Sequence, residues 1–371
     1  MKLRLLAVAA ALALAAPASA ADPQVDARAW LVQNGTTGEV LLEHAADRRV
    51  PIASITKLMT VLVALEHAQP DDVVVADGRA AAVGESTIHL RPGERITVRD
   101  LVEACLIQSA NDAAHALAYA IGKGDEQAFV ALMNEKAQAL GLADTHFVRP
   151  DGLDVAGHVS SARDVTKLAR VAMQRPLIRE IVGRRSAEAA GRTLFTWNDL
   201  LGRFPGLLGV KTGHTTAAGW SQVAAARGPG LTVYATILGS PTREERNSDL
   251  AELLAWGLAQ YRVVEAISAD RTYARAGLPY GKAPVRLVAE KPLLRVVRIR
   301  RPPVERVVAP SSLELPVRKG QRVGEVRVYA AGELLGARPL VAAESVDRPG
   351  LAGRVGWYAG ETASNVWSLI T

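Results

Sequence analysis

The chain has 371 residues, with 44 lysines and arginines against 38 aspartates and glutamates, a formal net charge of +6 and 49% hydrophobic residues. Its one cysteine, Cys105, excludes an intrachain disulfide, and its seven histidines show no His-Glu-x-x-His or comparable ligand spacing, so no metal or other cofactor is expected. The modest basic excess suits anionic envelope polymers or lipid head groups and gives no reason to expect a nucleic-acid partner.

Met1-Lys2-Leu3-Arg4, an apolar run from Leu5 to Ala16 and the small residues Ala18-Ser19-Ala20 read as a secretory signal peptide over 1–20, cut after Ala20. Residues 28–43 read as a hairpin turning at Asn34-Gly35, and an apolar helix follows from about Ser54. The segment opened by Thr97 runs as a helix to Gln108 and breaks at Ser109-Ala110-Asn111, where Asp112 is expected to cap a fresh helix. After the loop Phe147–Asp154, Ser161-Ala162-Arg163-Asp164 reads as a capping box. Strand patterns return at 207–214, 219–225 and 231–237, with a helix expected from about Asn247 to Tyr261. Two strands, a helical insertion, three strands and terminal helices make 21–262 one α+β domain. From 263 to 346, short β-rich runs broken by Pro302-Pro303, Ala309-Pro310 and Lys319-Gly320 read as a small all-β sandwich, and 347–371 as an amphipathic tail.

Chemistry is most legible at Ser54-Ile55-Thr56-Lys57, where a hydroxyl and an amine three residues apart share one helix face. No other serine has a lysine at that spacing. Burial disfavours an ammonium, and a neutral amine there could take the serine's proton. Bringing a lysine from about 10.4 to about 7.5 costs about 4 kcal/mol, which calls for a second cation besides burial. Lys211-Thr212-Gly213 supplies one: the lysine would lower Lys57 by like-charge repulsion, and the glycine lets backbone or substrate approach closely. Ser109 and Asn111, two residues apart in an interhelical turn, can point the same way. Singly, each motif has an ordinary explanation as a solvated face, a helix cap or a strand end.

Together, Ser54-x-x-Lys57, Ser109-x-Asn111 and Lys211-Thr212-Gly213 have the order and spacing of the active-site serine penicillin-recognising enzymes. The chain resembles the low-molecular-mass penicillin-binding proteins of the D-alanyl-D-alanine carboxypeptidase family. The likeness runs through Ser109–Ala114, Pro150–Asp154, Ser161–Asp164 and Lys211–Thr215, and in the small domain through Lys319–Glu325 and Pro339–Ala342. It implies a β-lactamase/transpeptidase-like catalytic domain with an antiparallel five-stranded sheet and a helical lobe, followed by the family's β domain.

By that resemblance Ser54 attacks the carbonyl between two terminal D-alanines of a peptidoglycan stem peptide. Lys57 is the base, Ser109 relays the proton to the leaving amine and Asn111 orients Lys57. The N–H groups of Ser54 and His214 form the oxyanion hole, and Lys211, Thr212, Arg192 and Arg246 are candidates to hold the substrate carboxylate. β-Lactams are implied as covalent inhibitors, released slowly because 143–165 holds no evident deacylating glutamate. Asp151 stands where many relatives have histidine, a change expected to tune substrate choice. The same site would serve a DD-endopeptidase, and a catalytically silent wall scaffold is the reading from a different class. The tail, with Leu351, Val355, Tyr358, Ala359, Val366, Leu369 and Ile370 on one helical face and Trp357 and Trp367 suited to an interface, is expected to touch a membrane peripherally. The expected location is the periplasm or the outer face of the cytoplasmic membrane.

Overall fold

The computed structural model describes residues 9–11 and 21–367. Apart from the short strand Ala9–Ala11, the expected signal peptide lies outside the described residues, as do Leu369 and Ile370 of the tail. The chain forms two compact units, one spanning Ala20–Ala259 and the other running from Gln260.

In the first unit the strands of the main sheet are β1 (Ala29–Asn34), β2 (Val40–His44), β3 (Leu207–Thr215), β4 (Gly219–Gly228) and β5 (Leu231–Ser240). The helices that matter to the site are α1 (Lys57–His67), α2 (Asn111–Ile121), α3 (Ala162–Ala172) and α4 (Arg243–Ala259). The sheet is antiparallel throughout, in the order β2-β1-β5-β4-β3, because β1 docks on β5 with Val32 opposite Ala235. This is the five-stranded α+β arrangement that the family resemblance implied.

β5 is buried along nearly its whole length, so both faces of the sheet have to be covered. Successive side chains point to opposite faces, which puts Val233 on one and Thr236 on the other. α4 takes the Val233 face, so closely that a Cβ on Gly257 would stand 2.8 Å from both Val32 Cγ1 and Val233 Cγ1. α3 takes the other, where the Thr166 and Thr236 hydroxyls meet at 2.7 Å.

α1 is mostly apolar and is buried from Lys57 to Ala64, as a helix central to a lobe must be. A single 3₁₀ turn, Ala53–Thr56, leads into it. The helix Val98–Glu103 continues as a π-helical turn, Ala104–Gln108, and stops because Ser109 turns left-handed at φ 64° and ψ 32°. Non-glycine residues hold that conformation only where their surroundings impose it, commonly at functional sites. Cys105 lies in this turn, fully buried with its thiol pushed up to about 12 by desolvation, the inert small hydrophobe that its apolar neighbours indicate.

Two local expectations change. Asp112 does not cap α2: Ala110 occupies that position, and the Asp112 carboxylate accepts from the N–H groups of Ile88 and Leu90, tying down the 84–90 loop. α4 begins at Arg243, four residues before the expected Asn247, where Thr242 Oγ1 accepts from Glu245 N at 3.1 Å. The signal was present as Thr-x-x-Glu over Thr242–Glu245.

The second unit is the expected small β sandwich. Its larger antiparallel sheet runs Val304–Val308, Arg322–Ala330, Glu333–Ala342, Val285–Ala289, Thr272–Ala276, with Ala9–Ala11 beside the first of these, and a second sheet pairs Tyr261–Ile267 with Leu293–Arg298. Leu287, Val317, Val326, Val328 and Leu340 are fully buried between them. The tail forms the helix Leu351–Trp367, and no helix among the described residues is long and apolar enough to cross a membrane. Leu351, Val355 and Tyr358 are exposed, whereas Trp357, expected at an interface, turns in and meets the Tyr280 ring edge-on at 5.5 Å.

Candidate active site

Connectivity places the nucleophile and its base side by side: the 3₁₀ turn carries Ser54, and α1 begins at Lys57 one turn later. Lys57 Nζ lies 2.9 Å from Ser54 Oγ, 2.7 Å from Asn111 Oδ1 and 2.9 Å from the carbonyl oxygen of Asp151. The lysine is fully buried, and Ser54 is half-buried at a cavity floor. A neutral amine here has two N–H bonds and two carbonyl acceptors, so its lone pair is left for the Ser54 hydroxyl. Asn111 is itself fixed, with its Nδ2 donating to Gly84 O and its N–H to Ser86 O.

β3 brings the third motif across the cavity. Lys211 Nζ donates to Ser109 Oγ at 2.8 Å and to the Thr212 carbonyl at 2.9 Å. Gly213 passes over the serine turn, where a Cβ would stand 2.7 Å from Ile52 O and 3.2 Å from Ala53 Cβ, so any side chain would push the strand and the turn apart. The structure therefore brings together Ser54, Lys57, Ser109, Asn111, Lys211, Thr212, Gly213 and His214, drawn from three separate segments.

Burial leads the electrostatics of both lysines. Burial is what brings the Lys57 ammonium down to about 8, opposed by the Asp151 carboxylate and assisted by Arg149. Lys211 is held well below the ordinary lysine range, by burial first and by the neighbouring Lys57 second, and repulsion between two such cations acts on both.

The cavity, of about 270 Å³, is lined on one side by Ser54, Ser109 and Asn111 and on the other by Thr212, His214, Trp220, Arg243 and Arg246. Arg246 is nearly fully buried, bonded to Asn247 Oδ1 at 2.6 Å and Asp199 Oδ2 at 3.1 Å, and burial lowers it to about 10. Arg243, which sequence reading missed because it started α4 too late, holds Asp199 through two bonds of 2.6 and 2.7 Å and lies 5.6 Å from the Trp197 ring. Arg192 does not join them. It is held bidentately by Glu94 at 2.7 and 2.8 Å and is absent from the cavity lining. His214 stacks on Trp220, its partner across β3 and β4, at 3.9 Å. Asp151, expected to tune substrate choice, is fully buried behind Lys57, where no substrate reaches it.

Comparison with known proteins bears on the whole chain. Residues 16–242 match the family model described as D-alanyl-D-alanine carboxypeptidase, and 261–348 match that of the penicillin-binding protein 5 C-terminal domain. D-alanyl-D-alanine carboxypeptidase DacC of Escherichia coli is 32% identical over 365 residues, covering 92% of this chain and 90% of that protein. DacF of Bacillus subtilis is 30% identical over 339 residues, covering 88% and 87%. Among solved structures, penicillin binding protein 5 from Haemophilus influenzae superposes with a TM-score of 0.65 at 26% identity, covering 89% of this chain and all 100% of the other.

Proposed function

The chain belongs to the D-alanyl-D-alanine carboxypeptidase family, and from that premise we propose that Ser54 is the nucleophile with which this serine-type hydrolase removes the terminal D-alanine from peptidoglycan stem pentapeptides. The observation that carries the assignment is the Lys57 amine held between Ser54 Oγ, Asn111 Oδ1 and Asp151 O in a buried site.

Neutral Lys57 takes the Ser54 proton as Oγ bonds to the carbonyl carbon of the penultimate D-alanine. The N–H groups of Ser54 and His214 receive the developing oxyanion. Ser109, gripped by Lys211, relays the proton that Lys57 took to the departing amine as the C–N bond breaks, so free D-alanine leaves, an ester on Ser54 remains and Lys57 is neutral again. Lys57 then activates water, which restores Ser54 and frees the shortened peptide. The substrate's terminal carboxylate meets Thr212, Arg243 and Arg246, with Lys211 close behind. An arriving carboxylate also favours the ammonium form of Lys211, which sets Lys211 and Lys57 in opposite charge states for the reaction.

In this reading residues 21–262 are the catalytic domain, 263–346 the β domain and 1–20 a cleaved leader. The protein works in the periplasm or at the outer face of the cytoplasmic membrane, which the exposed Leu351, Val355 and Tyr358 of the last helix touch without crossing. β-Lactams acylate Ser54 and leave slowly.

The test is D-alanine release from a stem pentapeptide, beside labelling by a fluorescent penicillin, in the full chain and in Ser54→Ala. Both signals disappear in the variant if the reading is right. Label without release points to crosslinked peptide as substrate, and absence of label from the unaltered chain overturns the assignment.

A further inference from the structure

Behind Lys57 lies a run of alternating charges that the steps above do not use. α2 carries Asn111 and, one turn on, His115 on the same face. Asn111 Oδ1 is one acceptor of the Lys57 amine. The other is the Asp151 carbonyl, and the Asp151 carboxylate is bonded to His115 Nε2 at 3.0 Å, to Arg149 at 2.5 and 2.7 Å, and to Leu153 N at 3.1 Å. His115 Nδ1 meets Glu126 Oε2 at 2.5 Å. Both ring nitrogens therefore face carboxylates, which only accept, so the imidazole donates twice and carries a charge. Burial disfavours that charge, yet Asp151 and Glu126 together raise His115 to about 9.

Asp151 has no exposed surface, which excludes contact with substrate. A buried ion pair is also a poor source of stability relative to apolar packing, so stability alone is a weak reason for it. We propose that His115 and Asp151 are positioning residues for the hydrolysis: their ion pair, anchored on the helix that carries Asn111, fixes the Asp151 carbonyl as the second acceptor of the Lys57 amine and so aims its lone pair at Ser54. One helix face then sets both acceptors, Asn111 directly and Asp151 through His115.

The pair also sets the local charge. The groups facing it are Glu126 at the start of the helix Glu126–Ala139, Arg149 from its own loop, Tyr119 one turn along α2 with Arg79 over its ring, and Lys57. Glu85, Cys105 and Lys211 face Lys57 from the remaining sides, and His158 lies near Asp151. Within that set Asp151⁻ favours the Lys57 ammonium and His115⁺ disfavours it.

The inference rests on Lys57 being the base, and the experiment separates the two. Second-order acylation by penicillin is followed from pH 6 to 10 in the full chain, Lys57→Ala, Asp151→Asn, His115→Gln and the double variant. Acylation lost in Lys57→Ala upholds the base; acylation retained there overturns that reading and this inference with it. Given the base, Asp151→Asn moves the acidic limb down and His115→Gln moves it up, each by on the order of one pH unit. Both lower the plateau about tenfold or more, and the double variant brings the limb back near its original position while the plateau stays low. Limbs that stay put or move the same way, or a plateau at the original rate, overturn the proposal, because loosened packing cannot move the limb in opposite directions. In the unaltered chain, ¹⁵N spectra show His115 doubly protonated at pH 7; a neutral ring there overturns the proposal whether or not the variants fold.

Discussion

Gly152 touches no reacting atom, yet Gly152→Ala should remove most of the activity. Its φ is +86°, and a Cβ there would stand 2.0 Å from the Ala53 carbonyl oxygen and 2.6 Å from Thr56 Oγ1. Against an ordinary contact of about 3.5 Å, the loop and the serine turn have to part by about 1.5 Å. That displacement draws the Asp151 carbonyl away from Lys57 and shifts Ser54 on the same turn. Misplacement of about 1 Å in such a site costs about a hundredfold in rate. Overpacking adds about 1–3 kcal/mol of destabilisation and the positive φ about 1 kcal/mol. Gly157→Ala is the matched control: φ is +85°, but the nearest atom to the added Cβ, Val148 Cγ2, is 3.9 Å away. It incurs only the backbone strain and should acylate within about twofold of the original rate. Stopped-flow acylation by penicillin, with thermal melts of both variants, reads the difference. Gly152→Ala acylating within twofold, or Gly157→Ala losing as much, would falsify the steric argument.

Acylation in the unaltered chain should rise with pH through about 8, as the buried Lys57 ammonium loses its proton; a rate already flat from pH 6 upward, or a limb near 10.5, contradicts the burial of the base. Asp112→Ala leaves the buried N–H groups of Ile88 and Leu90 without their acceptor, so urea unfolding should show a loss of about 2–4 kcal/mol, with slower acylation as the loop holding Asn111 slackens. An unchanged midpoint would show that the Ile88 and Leu90 N–H groups do not depend on Asp112 for stability. Arg246→Ala should compress the preference for a free C-terminal carboxylate over its amide about tenfold or more, measured as the ratio of kcat/KM values. Arg192→Ala should leave that ratio alone, since Glu94 occupies its guanidinium.

Several features of the site follow from sequence because they depend on connectivity. Ser54 and Lys57 are one turn apart in any helix-like segment, Ser109 and Asn111 flank one break, and Lys211-Thr212-Gly213 lies on one strand, so each motif is legible by type and spacing, and the family resemblance that the three carry together implies the chemistry. Strand and helix periodicities likewise gave the two strands, helical insertion and three strands of the first unit, and the β-rich runs of the second. Arg243 was missed by a boundary error that the Thr242–Glu245 capping box could have prevented.

What the sequence could not determine is which distant group each side chain meets. His115 and Asp151 are 36 positions apart, Arg192 and Glu94 98, and Lys211 and Ser109 102, and no local rule relates residues at such separations. Tertiary packing decided that Asp151 is buried away from substrate, that Asp112 serves a loop and not a cap, and that Arg192 is taken by Glu94. Burial, a property of the assembled core, is also what lowers both lysines. Short-range geometry is fixed by bond connectivity and can be read from the chain; partnership and desolvation exist only once the segments have closed on one another.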